Sequence, residues 1–176
     1  MQERSSVSDA MMPSRNVGIV WNGSSPERYT TWAFGVFNDW LDADQDFDQG
    51  ASQFAGRLTW APLKTNDDSS LLHLGGGYRY SNAKEGFRFF TEPEFTQSPV
   101  FVDTGFGTET GVLPADNFET WNAELSWRRG PFLISSEYTR TNVDNPLLGK
   151  PSFDGYWVAA SWVLTGEMRA YNQKSG

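Results

Sequence analysis

The sequence predicts an all-β fold of about seven to eight antiparallel meander strands, and three observations carry that prediction. Apolar and polar residues alternate with period two in seven separate stretches. No stretch sustains the three-to-four spacing of an amphipathic helix. The connections between the stretches alternate between short and long.

The first stretch, over 15–22, sets Val17, Ile19 and Trp21 against Asn16, Gly18, Val20 and Asn22. The second, over 28–38, sets Trp32, Phe34 and Val36 against Thr31, Ala33 and Gly35. Between them lies a Gly-, Ser- and Pro-containing turn, Gly23 to Glu27. An acidic connection carrying Asp39, Asp42, Asp44, Asp46 and Asp48 leads to the third stretch. That stretch, over 53–61, sets Phe54, Leu58 and Trp60 against Gln53, Ala55, Arg57 and Thr59. After a shorter link the fourth, over 71–81, sets Leu72, Leu74, Tyr78 and Tyr80 against His73, Gly75, Gly77, Arg79 and Ser81. A very long connection, Asn82 to Asn117, contains Pro93, Pro99 and Pro114. The fifth stretch, over 118–128, alternates most regularly, with Trp121, Ala123, Leu125 and Trp127 against Asn122, Glu124, Ser126 and Arg128. A tight Arg129-Gly130 turn joins it to the sixth, over 131–141, where Phe132, Ile134 and Tyr138 oppose Ser135, Glu137 and Thr139. The seventh, over 154–165, sets Tyr156, Val158, Ala160, Trp162 and Leu164 against Trp157, Ala159 and Ser161.

Composition narrows the classes. The chain has 176 residues and no Cys, which removes a disulfide framework and thiolate metal sites. Aromatic residues make up 15%, too many for a disordered chain. The net charge of -8 argues against nucleic acid as a partner, because phosphate recognition needs a basic face. No apolar run reaches the length of a membrane helix, and Met1 to Pro13 lacks the apolar core of a secretory signal.

Alternating short and long connections are the habit of outer-membrane barrels, whose turns are short at one rim and long at the other. The aromatic residues fit the same scheme. With the short turns at one rim, Trp21, Trp32, Trp60, Trp127 and Trp162 fall near it, together with Phe132. Phe54, Tyr80, Trp121, Tyr138 and Tyr156 fall near the other. Amphipathic rings favour the headgroup zone and aliphatic side chains the hydrocarbon, so two aromatic rows flanking an aliphatic band describe the outside of a transmembrane β-barrel. The opposite face would line water. The competing reading is a secreted, aromatic-rich β-sandwich that binds carbohydrate on exposed Trp. In a sandwich the Trp residues would be scattered or packed in a central core.

A closed bacterial barrel needs an even number of strands and no open edge. Seven strands are therefore expected to be one segment, 1–176, of a longer barrel, incomplete at both ends. The other reading is a complete small barrel with one further strand in Phe87 to Phe90 or Val100 to Gly105.

Four runs give the sequence a family likeness. They are Glu3-Arg4-Ser5 with Pro13-Ser14-Arg15-Asn16-Val17-Gly18, and Phe54 to Pro62 followed by Leu72-His73-Leu74-Gly75. The third is Asn122-Ala123-Glu124-Leu125 with Gly130-Pro131-Phe132 and Ser136-Glu137-Tyr138. The last is Phe153 to Trp157 running to Leu164-Thr165-Gly166-Glu167-Met168-Arg169-Ala170-Tyr171. In order and spacing the chain resembles the phosphate-selective porin O and P family of bacterial outer-membrane porins. That resemblance implies a barrel of about sixteen strands, assembled as a homotrimer in outer-membrane lipid. It also implies that this chain corresponds to the middle portion, with the loop that narrows the pore outside it or only partly within it.

On this phase the pore-lining charged residues are Arg57, Arg79, Arg128, Glu124 and Glu137, with His73 beside them. Arg88, in the long connection, is placed to bend into the pore mouth. Each Arg either bridges to a neighbouring Glu and stiffens the wall or meets oxyanions, which its planar fork binds through two oxygens. The acidic 39–48 connection works against anion selectivity over a screening distance of about 8 Å. It also lacks the Gly and closing Glu of a calcium loop. A single His without Cys supports no metal site. Glu124 and Glu137 on adjacent strands have the residue types of a glycosidase pair but no sugar cleft around them. The sequence is therefore expected to specify neither an enzyme nor a cofactor site. It is expected to conduct small hydrophilic solutes or anions passively through the bacterial outer membrane.

Overall fold

The computed structural model describes residues 16–38, 51–65, 69–83, 86–91, 100, 102–105, 107 and 111–172. The acidic 39–48 connection and the Glu3–Ser5 run lie outside the described residues. Seven strands form one open antiparallel sheet in the order β1, β2, β3, β4, β7, β8, β9. They are β1 (Val17–Ser25), β2 (Thr30–Asn38), β3 (Ser52–Lys64), β4 (Ser70–Asn82), β7 (Asn117–Arg129), β8 (Phe132–Asp144) and β9 (Ser152–Trp162). Each pairs with the next wall strand in the chain, which makes the sheet a pure meander. No helix among the described residues is long and apolar enough to cross a membrane, a statement that leaves crossing by strands untouched.

The two short segments considered for an additional wall strand do not join the sheet. β5 (Phe90–Thr91) and β6 (Val102–Asp103) pair only with each other. The chain leaves the wall after β4 and returns at β7, which pairs with β4 from Ser70↔Arg129 to Asn82↔Asn117.

Alternation along the strands fixes the two faces. Ile19, Tyr156 and Trp162 are exposed on one face, whereas Thr59, Thr120, Thr139 and Thr141 are buried on the other. Among the described residues the second sheet is only the two-stranded β5–β6 pair, too small to form the other layer of a sandwich, so the sandwich reading does not hold. Large apolar side chains on one face are thus exposed while short polar side chains on the other are buried.

Length suits the role of a wall. A 13-residue strand such as β4 is about 43 Å long at about 3.3 Å per residue. Tilted by about 40°, it rises about 33 Å and crosses an apolar band about 25 Å tall.

Three local features set the register. Gly130, at φ 57°, closes the tight β7–β8 turn in a conformation costly for other residues. A bulge between Trp60 and Leu63 absorbs Pro62, which has no N–H for the ladder, and returns Leu63 to the exposed face. Across the polar face Thr31 and Thr59 share a hydroxyl hydrogen bond of 2.6 Å, and Thr120 and Thr141 one of 2.9 Å. Such cross-strand pairs are the unit of sheet stabilisation.

Candidate functional site

The polar face carries two different constructions at its two ends. At the long-connection rim, Phe87, Phe89 and Ala115 from the connection pack with Ala83 and Val143, supported by Leu113, Phe118 and Phe153. Phe118, Val143 and Phe153 belong to the polar face by strand parity, so the connection folds over that face. Phe87 and Leu113 bridge the two limbs of the connection by backbone hydrogen bonds of 2.8 and 2.9 Å. The three rings of Phe87, Phe89 and Phe153 meet at centroid distances of 5.2 to 5.8 Å. The Phe side chains that anchor this connection were not singled out by simple alternation.

Arg88 stands on the same connection. Its Nε and Nη2 donate to the two Asp103 carboxylate oxygens at 2.9 and 3.0 Å, and it lies 4.9 Å from the Phe90 ring centroid. The paired guanidinium holds the Asp103 carboxyl below the usual range, and Asp103 holds Arg88 above its own. Arg88, which precedes β5, thus ties this limb of the connection to β6.

Toward the short-turn rim the polar face is charged. Arg57 on β3 donates from Nε and Nη2 to the two carboxylate oxygens of Glu124 on β7, at 2.7 and 3.1 Å. The pair spans β4, the strand between them. His73 Nε2 on β4 lies 4.0 Å from the same carboxylate. Glu137 sits directly opposite Glu124 in the β7–β8 register. Cross-strand carboxylates repel, and the Arg57 guanidinium beside Glu124 offsets that repulsion.

Residues after β9 fold back onto this wall. The Tyr171 hydroxyl and His73 Nδ1 share a hydrogen bond of 2.9 Å, with the rings edge to face. Arg128 donates from Nη1 to the Arg169 carbonyl. Together with Arg57, Glu124 and Ser126 these residues line a cavity of about 340 Å³. Burial pushes the Tyr171 hydroxyl pKa up, so the phenol is a neutral hydrogen-bonding group at physiological pH.

Arg79 differs from Arg57. It is buried, donates from Nε and Nη2 to Gln53 Oε1 at 2.9 and 2.7 Å, and stacks 4.9 Å from the Phe118 ring centroid. The structure therefore brings Arg57, Glu124, His73 and Glu137 together, with Arg128 nearby. Arg79 lies farther along the wall, and Arg88 in the connection. Tyr171 and Gln53 complete these contacts. Gln53 belongs to the polar side of the third alternating stretch, whereas Tyr171 has no periodicity that marks it and falls within one of the family-like runs.

The five Trp residues expected in one row divide slightly. Trp21, Trp60, Trp127 and Trp162 are exposed on the apolar face, and Trp32 on the same face is half-buried. Phe132 and Trp162 stack at 5.4 Å beside the β7–β8 turn. On the same face Tyr78 and Trp121 pack at 4.5 Å nearer the other rim.

No curated protein matches the chain. A family model does, described as phosphate-selective porin O and P, over residues 1–176. The open meander of strands with an apolar outer face agrees with it, and the chain belongs to the phosphate-selective porin O and P family, a family of bacterial outer-membrane porins.

Proposed function

We propose that the chain forms part of the wall of a water-filled channel in the bacterial outer membrane, through which small hydrophilic solutes or anions diffuse passively. The observation that carries this reading is the inverted sheet, with large apolar side chains exposed on one face and buried polar ones on the other. Lipid tolerates the first and water the second, whereas unpaired strand edges in lipid are costly. Further strands of the complete protein pair with β1 and β9 and close a barrel of about sixteen, which assembles as a homotrimer.

Selection in such a pore is geometry plus wall charge, with no chemical turnover. Arg57, Arg79, Arg128, Glu124, Glu137 and His73 line the passage, and Arg88 stands at its mouth. The 86–91 and 111–116 limbs narrow one end, and the 169–171 segment narrows the other. Trp21, Trp32, Trp60, Trp127 and Trp162 form a girdle at one membrane interface. Neutralisation of Arg57 by Glu124 favours a general porin of modest anion preference over strict phosphate selectivity.

The complete protein in planar bilayers under a salt gradient tests this. Stepwise ohmic conductance with a small reversal potential of anionic sign is expected. Absence of conductance steps from folded protein would overturn the channel reading, and competitive block by phosphate at low concentration would restore strict selectivity.

A further inference from the structure

We propose that Glu124 is a selectivity-determining residue. It holds the Arg57 guanidinium down against the wall and so withholds that charge from passing anions. The inference rests on the channel reading above and goes beyond it by naming one residue and its mode of action.

The geometry requires an unusual wall. Arg57 and Glu124 are separated by a whole strand, and their side chains meet by lying across β4. Opposite Arg57 in register is Gly77, and opposite Glu124 is Gly75. A Cβ at position 75 would fall inside the van der Waals envelope of the Glu124 carboxylate and its Cγ. Gly75 thus leaves the room in which the Glu124 side chain lies over β4 toward Arg57. With Tyr171 and His73 alongside, Glu124 is the more covered partner, at 19% side-chain exposure against 42% for Arg57.

Electrostatics follows from that posture. Two opposite charges joined through two hydrogen bonds at 2.7 and 3.1 Å present a dipole to the channel. Its field falls off faster than that of a lone charge and is screened further by salt. Removing Glu124 takes away the two hydrogen bonds that hold the guanidinium across β4, and a guanidinium is well suited to oxyanions. Counting charges along the wall therefore understates what Arg57 can contribute.

The test is a double-mutant cycle on the complete protein in planar bilayers, read as the anion-to-cation permeability ratio. Glu124→Gln raises the ratio and Arg57→Gln lowers it. The informative quantity is the effect of Arg57→Gln in the two backgrounds. It is expected to be roughly twofold larger when residue 124 is Gln, because coupled residues are not additive. Gly75→Ala changes no charge but dislodges Glu124. In that background Arg57→Gln is again expected to have the larger effect. Gly77→Ala, whose Cβ would meet only ordinary contacts at 3.6 and 3.7 Å, leaves the effect at its wild-type size. Equal effects of Arg57→Gln in all four backgrounds would overturn the proposal while leaving the channel reading intact. A wild-type protein that does not conduct would overturn the channel reading instead.

Discussion

The two faces of one sheet obey opposite rules. On the apolar face large side chains such as Ile19, Leu63, Tyr156 and Val158 are mostly exposed, and rings pair along the surface. On the polar face Thr, His and Arg are buried and joined by hydrogen bonds. In a water-soluble protein the pattern would be reversed, because apolar burial is the main driving force for folding. The difference teaches that the solvent on the apolar side is not water. The polar face departs from its own rule most clearly at the Phe cluster where the long connection lands.

That exception gives the largest expected effect. Phe89→Ala removes a ring that is 6% exposed and is expected to weaken docking of the connection by about 3 kcal/mol. Proteolysis within the connection of the assembled protein and a rise in single-channel conductance check it. Unchanged values of both would mean that the cluster does not hold the connection in place.

A charge placed on either face sharpens the comparison next. Leu74→Arg, toward lipid on β4, is expected to cost about 2–4 kcal/mol of membrane-folded stability. Asn122→Arg, toward the polar side, costs about 1 kcal/mol, mainly the lost hydrogen bond to Thr139. Reversible urea unfolding from lipid vesicles measures both. Similar costs at the two positions would contradict the assignment of faces.

Much of this was legible in the sequence. Each of the seven period-two stretches became a wall strand, and Trp121 to Trp127 kept the phase read from alternation throughout β7. Boundaries moved most where pairing extends beyond the amphipathic pattern. β8 runs on to Asp144 because Val143 is covered by the connection. The Arg57–Glu124 bridge was one of two readings open for each Arg. Alternation places both residues on one face, but reach across β4 depends on the side-chain-free position at Gly75. The docking of Phe87, Phe89 and Tyr171 could not be read, since contacts of irregular segments follow from tertiary packing and leave no period.

Smaller effects belong to the rims. Trp162→Ala loses a stacked pair with Phe132 and is expected to cost about 1 kcal/mol, measured by the same unfolding assay. Smallest is the exposed Arg88–Asp103 pair. Because Arg88 depresses the Asp103 pKa, the pair's contribution is present above the ordinary carboxylate range and fades as pH falls through the lowered value. Asp103→Asn is expected to remove that acid dependence, read as loss of the low-pH rise in cleavage of the connection. Retention of the rise in the variant would assign it to another group.

Accessibility of single tryptophans tests the central claim most directly. Two versions of the complete protein in bilayers would retain either Trp127 on the apolar face or Trp157 on the polar face. Brominated lipids are expected to quench Trp127 strongly and Trp157 weakly, with aqueous iodide giving the opposite order. Equal quenching of the two by lipid, or stronger quenching of Trp157, would contradict an apolar face turned to the membrane.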